Sequence, residues 1–187
     1  MPDIQHLLDK YRINTSADQL LRRWEEPHRA YHGKAHLYDL FRQIADDYDK
    51  GNITATEREK LELVALFHDI IYDRTDNEER STQLLLSLCD NPKDADILAI
   101  HEAILATANH EDVSPLSATF NRYDMNIVER SFDELLDWEH GIYQEYKSIG
   151  DEAYKTGRLR FLQSLPGKYP DNRVNLEKLI AWVASNY

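Results

Sequence analysis

The sequence predicts an all-α fold, and three observations lead to this prediction. Apolar residues recur at i, i+3, i+4 and i+7 along almost the whole chain of 187 residues, which is the spacing of one helix face. No window alternates apolar and polar residues for long enough to predict a strand. Ser, Thr or Asp followed three residues later by Glu or Gln also recurs before apolar stretches, as at helix N-termini.

Local signals then set the order of the helices. Residues that favour N-caps precede five of the apolar stretches, namely Ser16, Thr56, Asp76, Asn91 and Ser131. Residues that interrupt or end helices follow others, namely Pro27, Gly51 and Gly150. The predicted helices span approximately residues 4–11, 16–26, 34–49, 56–71, 76–88, 92–105, 131–148, 152–164 and 173–186. Residues 110–123 are predicted to form a loop.

Length and charge limit the classes of function. A chain of 187 residues, with no linker-like segment, predicts one domain over residues 1–187. Its net charge is −12, from 22 Lys and Arg against 34 Asp and Glu, so we expect no nucleic-acid polymer as partner. An anionic substrate would need a local positive charge, which a divalent cation can supply.

Compartment signals point to a cytoplasmic protein. No apolar run approaches the roughly 18 residues of a membrane span, so we expect no membrane partner. The N-terminal residues lack the basic and then apolar regions of a secretory signal. Cys89 is the only cysteine, which excludes a disulfide framework.

The histidines are the first candidates for chemistry. His68 shares a face with the apolar residues of its predicted helix, and the adjacent Asp69 would need a partner if buried. His32 and His36 share one face if the helix begins near residue 32. Each pattern has a simpler interpretation, a chance dipeptide in the first case and a polar helix start in the second.

Two further residues complete the candidate set. Asp124 follows the predicted loop, and by itself it is better explained as an N-cap than as a metal ligand. His110 lies just past a predicted helix end, where a solvated histidine is the simpler interpretation. Along the chain the candidates give the order His, His-Asp, Asp on separate helices.

This order resembles the HD-domain superfamily of metal-dependent phosphohydrolases, and within it a group of small bacterial proteins. The resemblance is carried by linked motifs in residues 26–36, 66–73, 76–81 and 104–110 and around Tyr154. It extends from about residue 20 to about residue 169. It implies a helical bundle of the HD-domain type, with its core in this range and the C-terminal helix packed on it.

The resemblance also implies a divalent metal ion held by His36, His68, Asp69 and Asp124. The ion would be Mn, Mg, Ni, Zn or Fe. At position 126 the relatives carry a second aspartate where this chain has Asn126. We take Asp124 as the ligand.

Roles for the neighbouring residues follow from the same resemblance. His32 matches the proton donor of the cyclic-nucleotide phosphodiesterase branch, and Glu78 would act beside it as a catalytic group. His110 would contact a second metal or the substrate. Arg29 and Arg158 are candidate phosphate-binding residues, since a guanidinium binds phosphate through two parallel hydrogen bonds, although ion-paired surface arginines explain them equally well.

The implied activity is hydrolysis of phosphoester bonds, as a phosphomonoesterase or phosphodiesterase, in a small nucleotide or related phosphorylated metabolite. The principal alternative is a non-catalytic metal-containing HD module with a binding or regulatory role. A structural bundle with packed histidines and a metal-dependent oxygenase are two further alternatives.

Overall fold

Helices account for nearly all regular structure in the computed structural model, which describes residues 2–73 and 75–187. Within these residues there is no strand, only one isolated bridge between Ile13 and Cys89. The prediction of an all-α fold is confirmed. The α-helices are α1 (Ile4–Lys10), α2 (Ala17–Arg23), α3 (Lys34–Asp49), α4 (Ala55–Phe67), α5 (Asn77–Leu88), α6 (Ala95–Ala106), α7 (Pro115–Asp124), α8 (Phe132–Tyr146), α9 (Asp151–Leu162), α10 (Leu165–Lys168) and α11 (Arg173–Asn186).

The helices group into two compact units. The first unit is Met1–Asp124 and contains α1 to α7, and the second unit is Met125–Tyr187 and contains α8 to α11. The single domain over residues 1–187 stays a prediction. No helix in the described part of the chain is both long enough and apolar enough to cross a membrane.

Helix α4 is the centre of the first unit. All residues from Leu61 to Phe67 are buried, including Glu62, which accepts a hydrogen bond from Nε of Arg58 at 2.8 Å. A helical segment that is buried on every side needs neighbours around it, and α3, α6 and α7 pack on α4. Each fully buried Leu or Phe contributes on the order of 1.5–3 kcal/mol. The C-terminus of α4 therefore lies inside the unit.

The second unit is built around α8 and α11. Leu135 on α8 and Leu179 on α11 are fully buried. Glu139 is also fully buried, and it accepts hydrogen bonds from the Tyr154 hydroxyl and from Nε of Arg158, each at 2.6 Å. These two donors replace the water that the buried carboxylate has lost.

Several predicted helix starts are confirmed and two are wrong. Capping boxes form at Ser16 and Ser131 as predicted. Helix α4 is capped by Thr54 with Glu57, two residues before the predicted pair, which leaves Glu59 free to bind Nζ of Lys10 at 2.6 Å.

Helix α6 starts later than predicted. It is capped by Asp94 rather than by Asn91, because the Asp94 carboxylate accepts from the backbone N–H groups of Asp96 and Ile97. This pattern is the usual one for an acidic N-cap.

The predicted loop over residues 110–123 is wrong, because most of it forms α7. Ser114 begins the helix by exchanging hydrogen bonds with Ser117, and Pro115 occupies the first helical position, where its missing N–H is harmless. Phe120 and Tyr123 are buried on the inner face. Burial of these aromatic rings outweighs the weak helix propensity of Ser117, Thr119 and Asn121 in the same helix.

Candidate metal centre

Three side chains from three helices converge inside the first unit. His36 lies in the first turn of α3, His68 is the C-cap of α4, and Asp124 is the last residue of α7. Nε2 of His36 is 3.4 Å from Nε2 of His68 and 3.1 Å from Oδ1 of Asp124. Nε2 of His68 is 3.7 Å from the same carboxylate oxygen. One ligand atom from each residue lies within 4.8 Å of the other two, so the group could hold a metal ion.

The ring of His68 is oriented by its surroundings. Its Nδ1 lies 3.0 Å from the carbonyl oxygen of Ala65, which directs Nε2 towards His36 and Asp124. Its centroid is 5.6 Å from that of Trp24 and 5.1 Å from that of Phe120. A backbone carbonyl on one ring nitrogen commonly fixes the tautomer of a metal-binding histidine.

Asp69 borders this group without belonging to it. Its Oδ2 is 3.2 Å from Nε2 of His68 and 3.9 Å from Nε2 of His32. The side chain is 9% exposed, so the charge of this carboxylate is stabilised by its imidazole neighbours more than by water. Asp69 thus lies next to His68, and its role as a fourth metal ligand stays a prediction.

The buried carboxylates give the centre a strong preference for positive charge. Burial disfavours a charged His68, but Asp69 and Asp124 outweigh this effect and raise the pKa of His68 to about 9. Burial likewise opposes ionisation of Asp69, but His68 and His32 lower its pKa to about 2. The pKa of Asp124 also lies well below its ordinary value, because hydrogen bonds from His110 and His36 overcome burial. A divalent cation would be stabilised by the same carboxylates.

His32 lies beside the centre, two residues before the first residue of α3. Helix α3 begins at Lys34 with Gly33 as its N-cap, in agreement with the predicted range 34–49. The condition of a helix start near residue 32 is therefore not met, and His32 and His36 do not share a helical face. The two rings nevertheless lie 5.7 Å apart, edge to face. His32 also stacks on Tyr72, with ring centroids 4.2 Å apart.

His110 and Glu78 lie on the rim of the same group. Nε2 of His110 is 3.2 Å from Oδ2 of Asp124, so this carboxylate uses one oxygen for His110 and the other for His36. Burial raises the pKa of Glu78, and the negative charge of Asp69 adds to the effect. A carboxyl group with a raised pKa can retain a proton closer to neutral pH.

Arg29 is placed differently from a phosphate-binding residue. Its side chain is 1% exposed, and its guanidinium donates to the backbone carbonyls of His32, Asp69 and Ile70. Binding of phosphate through two parallel hydrogen bonds would require at least one of its present hydrogen bonds to break. Its Nε also lies 3.3 Å from a carboxylate oxygen of Glu26.

Arg158 belongs to the second unit. Its Nε is 2.6 Å from Oε2 of Glu139, and the guanidinium carbon is 4.2 Å from the ring centroid of Trp138. The side chain is 9% exposed, so it is not the surface arginine that the sequence suggested as an alternative. The phosphate-binding role of Arg158 stays a prediction.

Sequence reasoning did not identify three aromatic residues that shape the centre. Trp24 and Phe120 contact the ring of His68, and Tyr72 covers His32. The helical spacing around Trp24 indicates core packing, and it carries no signal for a role beside a particular histidine. Phe120 lies in the segment predicted as a loop, so its inward direction could not be inferred.

The donor set suits a divalent transition metal. Two imidazole nitrogens and one carboxylate oxygen, with a second carboxylate adjacent, are ligands that Zn, Fe, Ni and Mn accept.

In comparisons with protein-family models, with curated proteins and with solved structures, no significant match to the chain was found.

Proposed function

We propose that the first unit binds a divalent metal ion through His36, His68 and Asp124, with Asp69 as a fourth ligand, and that the protein hydrolyses phosphoester bonds. The convergence of His36, His68 and Asp124 within 4.8 Å carries the proposal. The sequence resemblance to HD-domain phosphohydrolases supports it, because the same residues match the ligand pattern of that superfamily. The substrate would be a small nucleotide or a related phosphorylated metabolite.

The charges of the described residues favour a metal over a purely structural cluster. Two carboxylates and two histidines lie in a region where His36 is 5% exposed and His68 is 1% exposed. Burying such groups is unfavourable unless each gains a partner, and one cation would satisfy all of them. Two imidazole ligands favour Mn, Ni, Zn or Fe over Mg, which prefers oxygen.

The reaction would combine the ion with two titratable side chains. A bound divalent metal lowers the pKa of a coordinated water and polarises phosphoryl oxygens. His32 lies beside the ligand set, so its imidazole would give a proton to the leaving oxygen. Oδ2 of Asp69, 3.9 Å from Nε2 of His32, would stabilise that ring while it carries the proton. Glu78 would lie at the rim as a further acid–base group, and burial raises its pKa above the ordinary value.

Metal content and phosphate release test this proposal together. The purified chain should contain about one divalent ion or more and release phosphate from at least one compound in a panel of phosphoesters. His68→Ala should lose both properties. His101→Ala is the matched control, because His101 lies half-buried on α6 and outside the ligand group, and this variant should keep both.

Three results would contradict parts of the proposal. Full metal content in His68→Ala would place any metal elsewhere in the chain. If the wild-type protein held no metal after incubation with divalent ions, the proposal of a metal centre would be contradicted. Metal binding without hydrolysis of any phosphoester would favour the alternative of a non-catalytic binding or regulatory module.

A further inference from the structure

We propose that Arg29 is a positioning residue for the candidate metal centre, because its guanidinium ties together the two segments that carry His32 and Asp69. This inference rests on the proposed metal-dependent function. Arg29 lies between α2 and α3, and its side chain is almost completely buried. It therefore acts through the residues that it holds, without contacting a substrate.

Its hydrogen bonds define the role. Nη1 donates to the carbonyl oxygen of His32 at 2.9 Å and to that of Asp69 at 2.8 Å. Nη2 donates to the carbonyl oxygen of Ile70 at 3.3 Å. Because a guanidinium is rigid and planar, its donors fix the relative positions of these carbonyl groups. One side chain thus sets the spacing between two segments that are distant in sequence.

The bond to Asp69 stabilises the turn that follows α4. The last carbonyl groups of a helix have no partner within it, and His68 is the C-cap of α4. A cation near this end also interacts favourably with the helix dipole. Arg29 supplies both a hydrogen bond and the positive charge just beyond His68. The backbone from which the Asp69 carboxylate extends is thereby held in place.

Two aromatic rings hold the guanidinium of Arg29 in place, as a residue that positions other groups requires. Its guanidinium carbon lies 5.3 Å from the ring centroid of Trp24 and 5.6 Å from that of Tyr72. Trp24 is anchored on α4, because its Nε1 donates to the carbonyl oxygen of Leu66 at 3.1 Å. Since Tyr72 also stacks on His32, the same ring links Arg29 to the proposed proton donor.

A positioning role and a purely electrostatic role predict opposite effects on metal affinity. A positive charge near a cation site repels the ion, so removal of the charge alone would strengthen metal binding. Loss of the carbonyl bonds would instead release the segment that carries Asp69 and follows His68, and would weaken metal binding. Partners that orient metal ligands typically account for about 10–100-fold in affinity. The direction of the change therefore separates the two roles.

Titration of the full chain with Co²⁺, followed by visible absorption, tests the inference through affinity and coordination geometry. Arg29→Lys keeps the charge but loses the planar fork, and Arg29→Gln loses both. We expect both variants to bind Co²⁺ about 10–100-fold more weakly than wild type, with an altered spectrum. Arg58→Gln is the control. Arg58 also lies near a tyrosine ring and pairs with a carboxylate, but its partner is Glu62, so Co²⁺ binding should stay as in wild type.

The outcomes separate this inference from the proposed function. Wild-type chain that binds no Co²⁺ would overturn the proposed function and the inference together. Wild-type binding with unchanged or tighter binding in the folded Arg29 variants would overturn the inference alone. Circular dichroism checks folding, and Arg29→Lys carries the test if Arg29→Gln is unfolded. Unfolding of both variants would also overturn the inference, since Arg29 would then support the fold as a whole.

Discussion

Oδ1 of Asp124 lies 3.1 Å from Nε2 of His36, so the last residue of α7 meets the first turn of α3 inside the first unit. Both side chains are shielded from water, with 5% of His36 and 13% of Asp124 exposed. A carboxylate in this environment is stable only while positive charge or hydrogen-bond donors surround it. The contact therefore identifies Asp124 as a carboxylate whose charge acts directly on the candidate centre.

Replacement of Asp124 by asparagine should weaken metal binding by about tenfold or more. The amide keeps the shape and one oxygen but removes the negative charge that attracts the ion. Competition with a chromophoric chelator measures the affinity. Asp137→Asn, an exposed position on α8, is the control and should bind as wild type. Equal affinity in Asp124→Asn and wild type would exclude Asp124 as a ligand.

Removal of the metal should lower the melting temperature of the protein. The three candidate ligands come from α3, from the C-cap of α4 and from α7, so an ion that binds them would stabilise the native state of the first unit. The stabilisation is about 2.7 kcal/mol at a free-metal concentration 100 times the Kd. Calorimetric scans before and after chelation measure the change, with metal content verified in both samples. Identical scans would indicate a peripheral site or none.

Most of the fold could be predicted because helix periodicity and capping are local properties of the sequence. The third predicted helix, over residues 34–49, agrees with α3, and the capping boxes at Ser16 and Ser131 form as expected. Helix α7 could not be predicted, because its stability comes from burial of Phe120 and Tyr123 against other helices. The start of α4 was misplaced because the same capping pattern occurs twice, two residues apart.

The candidate site was predictable in its residue types but not in its arrangement. The order His36, His68, Asp124 is visible in the sequence, and the structure brings these residues together. The environment of Arg29 could not be anticipated, because it depends on carbonyl groups about 40 residues away along the chain. Backbone carbonyl acceptors cannot be recognised from residue types, so the sequence does not distinguish an arginine that donates to carbonyl groups from one that is available to bind phosphate.

Asp47 should make the stability of the first unit depend on pH. It accepts a hydrogen bond from the Tyr123 hydroxyl at 2.8 Å, which joins α3 to α7. Burial opposes ionisation of Asp47, but hydrogen bonds from Tyr123 and Asn52 outweigh it and lower its pKa below the ordinary value of 3.8. A lowered pKa in the folded state means that the charged form stabilises the fold above pH 3.8 and that this contribution is lost as the pH falls further.

Asp47→Ala should therefore lower the free energy of unfolding by about 1–2 kcal/mol near neutral pH. The difference from wild type should shrink as the pH falls below 3.8. Urea unfolding between pH 3 and pH 7 measures it. Asp46→Ala is the control, because Asp46 is exposed and its nearest cation, Nη1 of Arg42, is 3.7 Å away. A difference that grows towards low pH would contradict the assigned role of Asp47.

His110 separates a single-ion centre from a centre with two ions. Its Nε2 contacts Oδ2 of Asp124, whereas His36 contacts Oδ1 of the same carboxylate. If His110 only orients Asp124, His110→Ala should keep the metal stoichiometry and lower the affinity by about tenfold. If His110 holds a second ion, the stoichiometry should fall from two to one. Metal analysis of variant and wild type distinguishes these results, and an unchanged affinity and stoichiometry would exclude both roles.

His32 and His36 should differ in what their loss removes. His36 belongs to the ligand group, so His36→Ala should lose metal and activity together. His32 lies outside that group, 3.9 Å from Oδ2 of Asp69, so His32→Ala should keep the metal and lose the proton for the leaving oxygen. General acid catalysis typically accounts for about 10²–10⁴-fold in rate. Metal content and kcat of each variant, measured on the same phosphoester, provide the comparison.

The leaving group supplies the decisive control for His32. An alkyl phosphoester needs a proton on its leaving oxygen, whereas a nitrophenyl phosphoester leaves as a stable phenolate. The rate deficit of His32→Ala should therefore be large for the first substrate and small for the second, because only the first depends on the general acid. The deficit of His36→Ala should be equal for both, since the loss of a metal ligand affects each reaction alike. Equal deficits for His32→Ala on the two substrates would exclude His32 as the proton donor, and equal metal loss in both variants would make His32 a ligand.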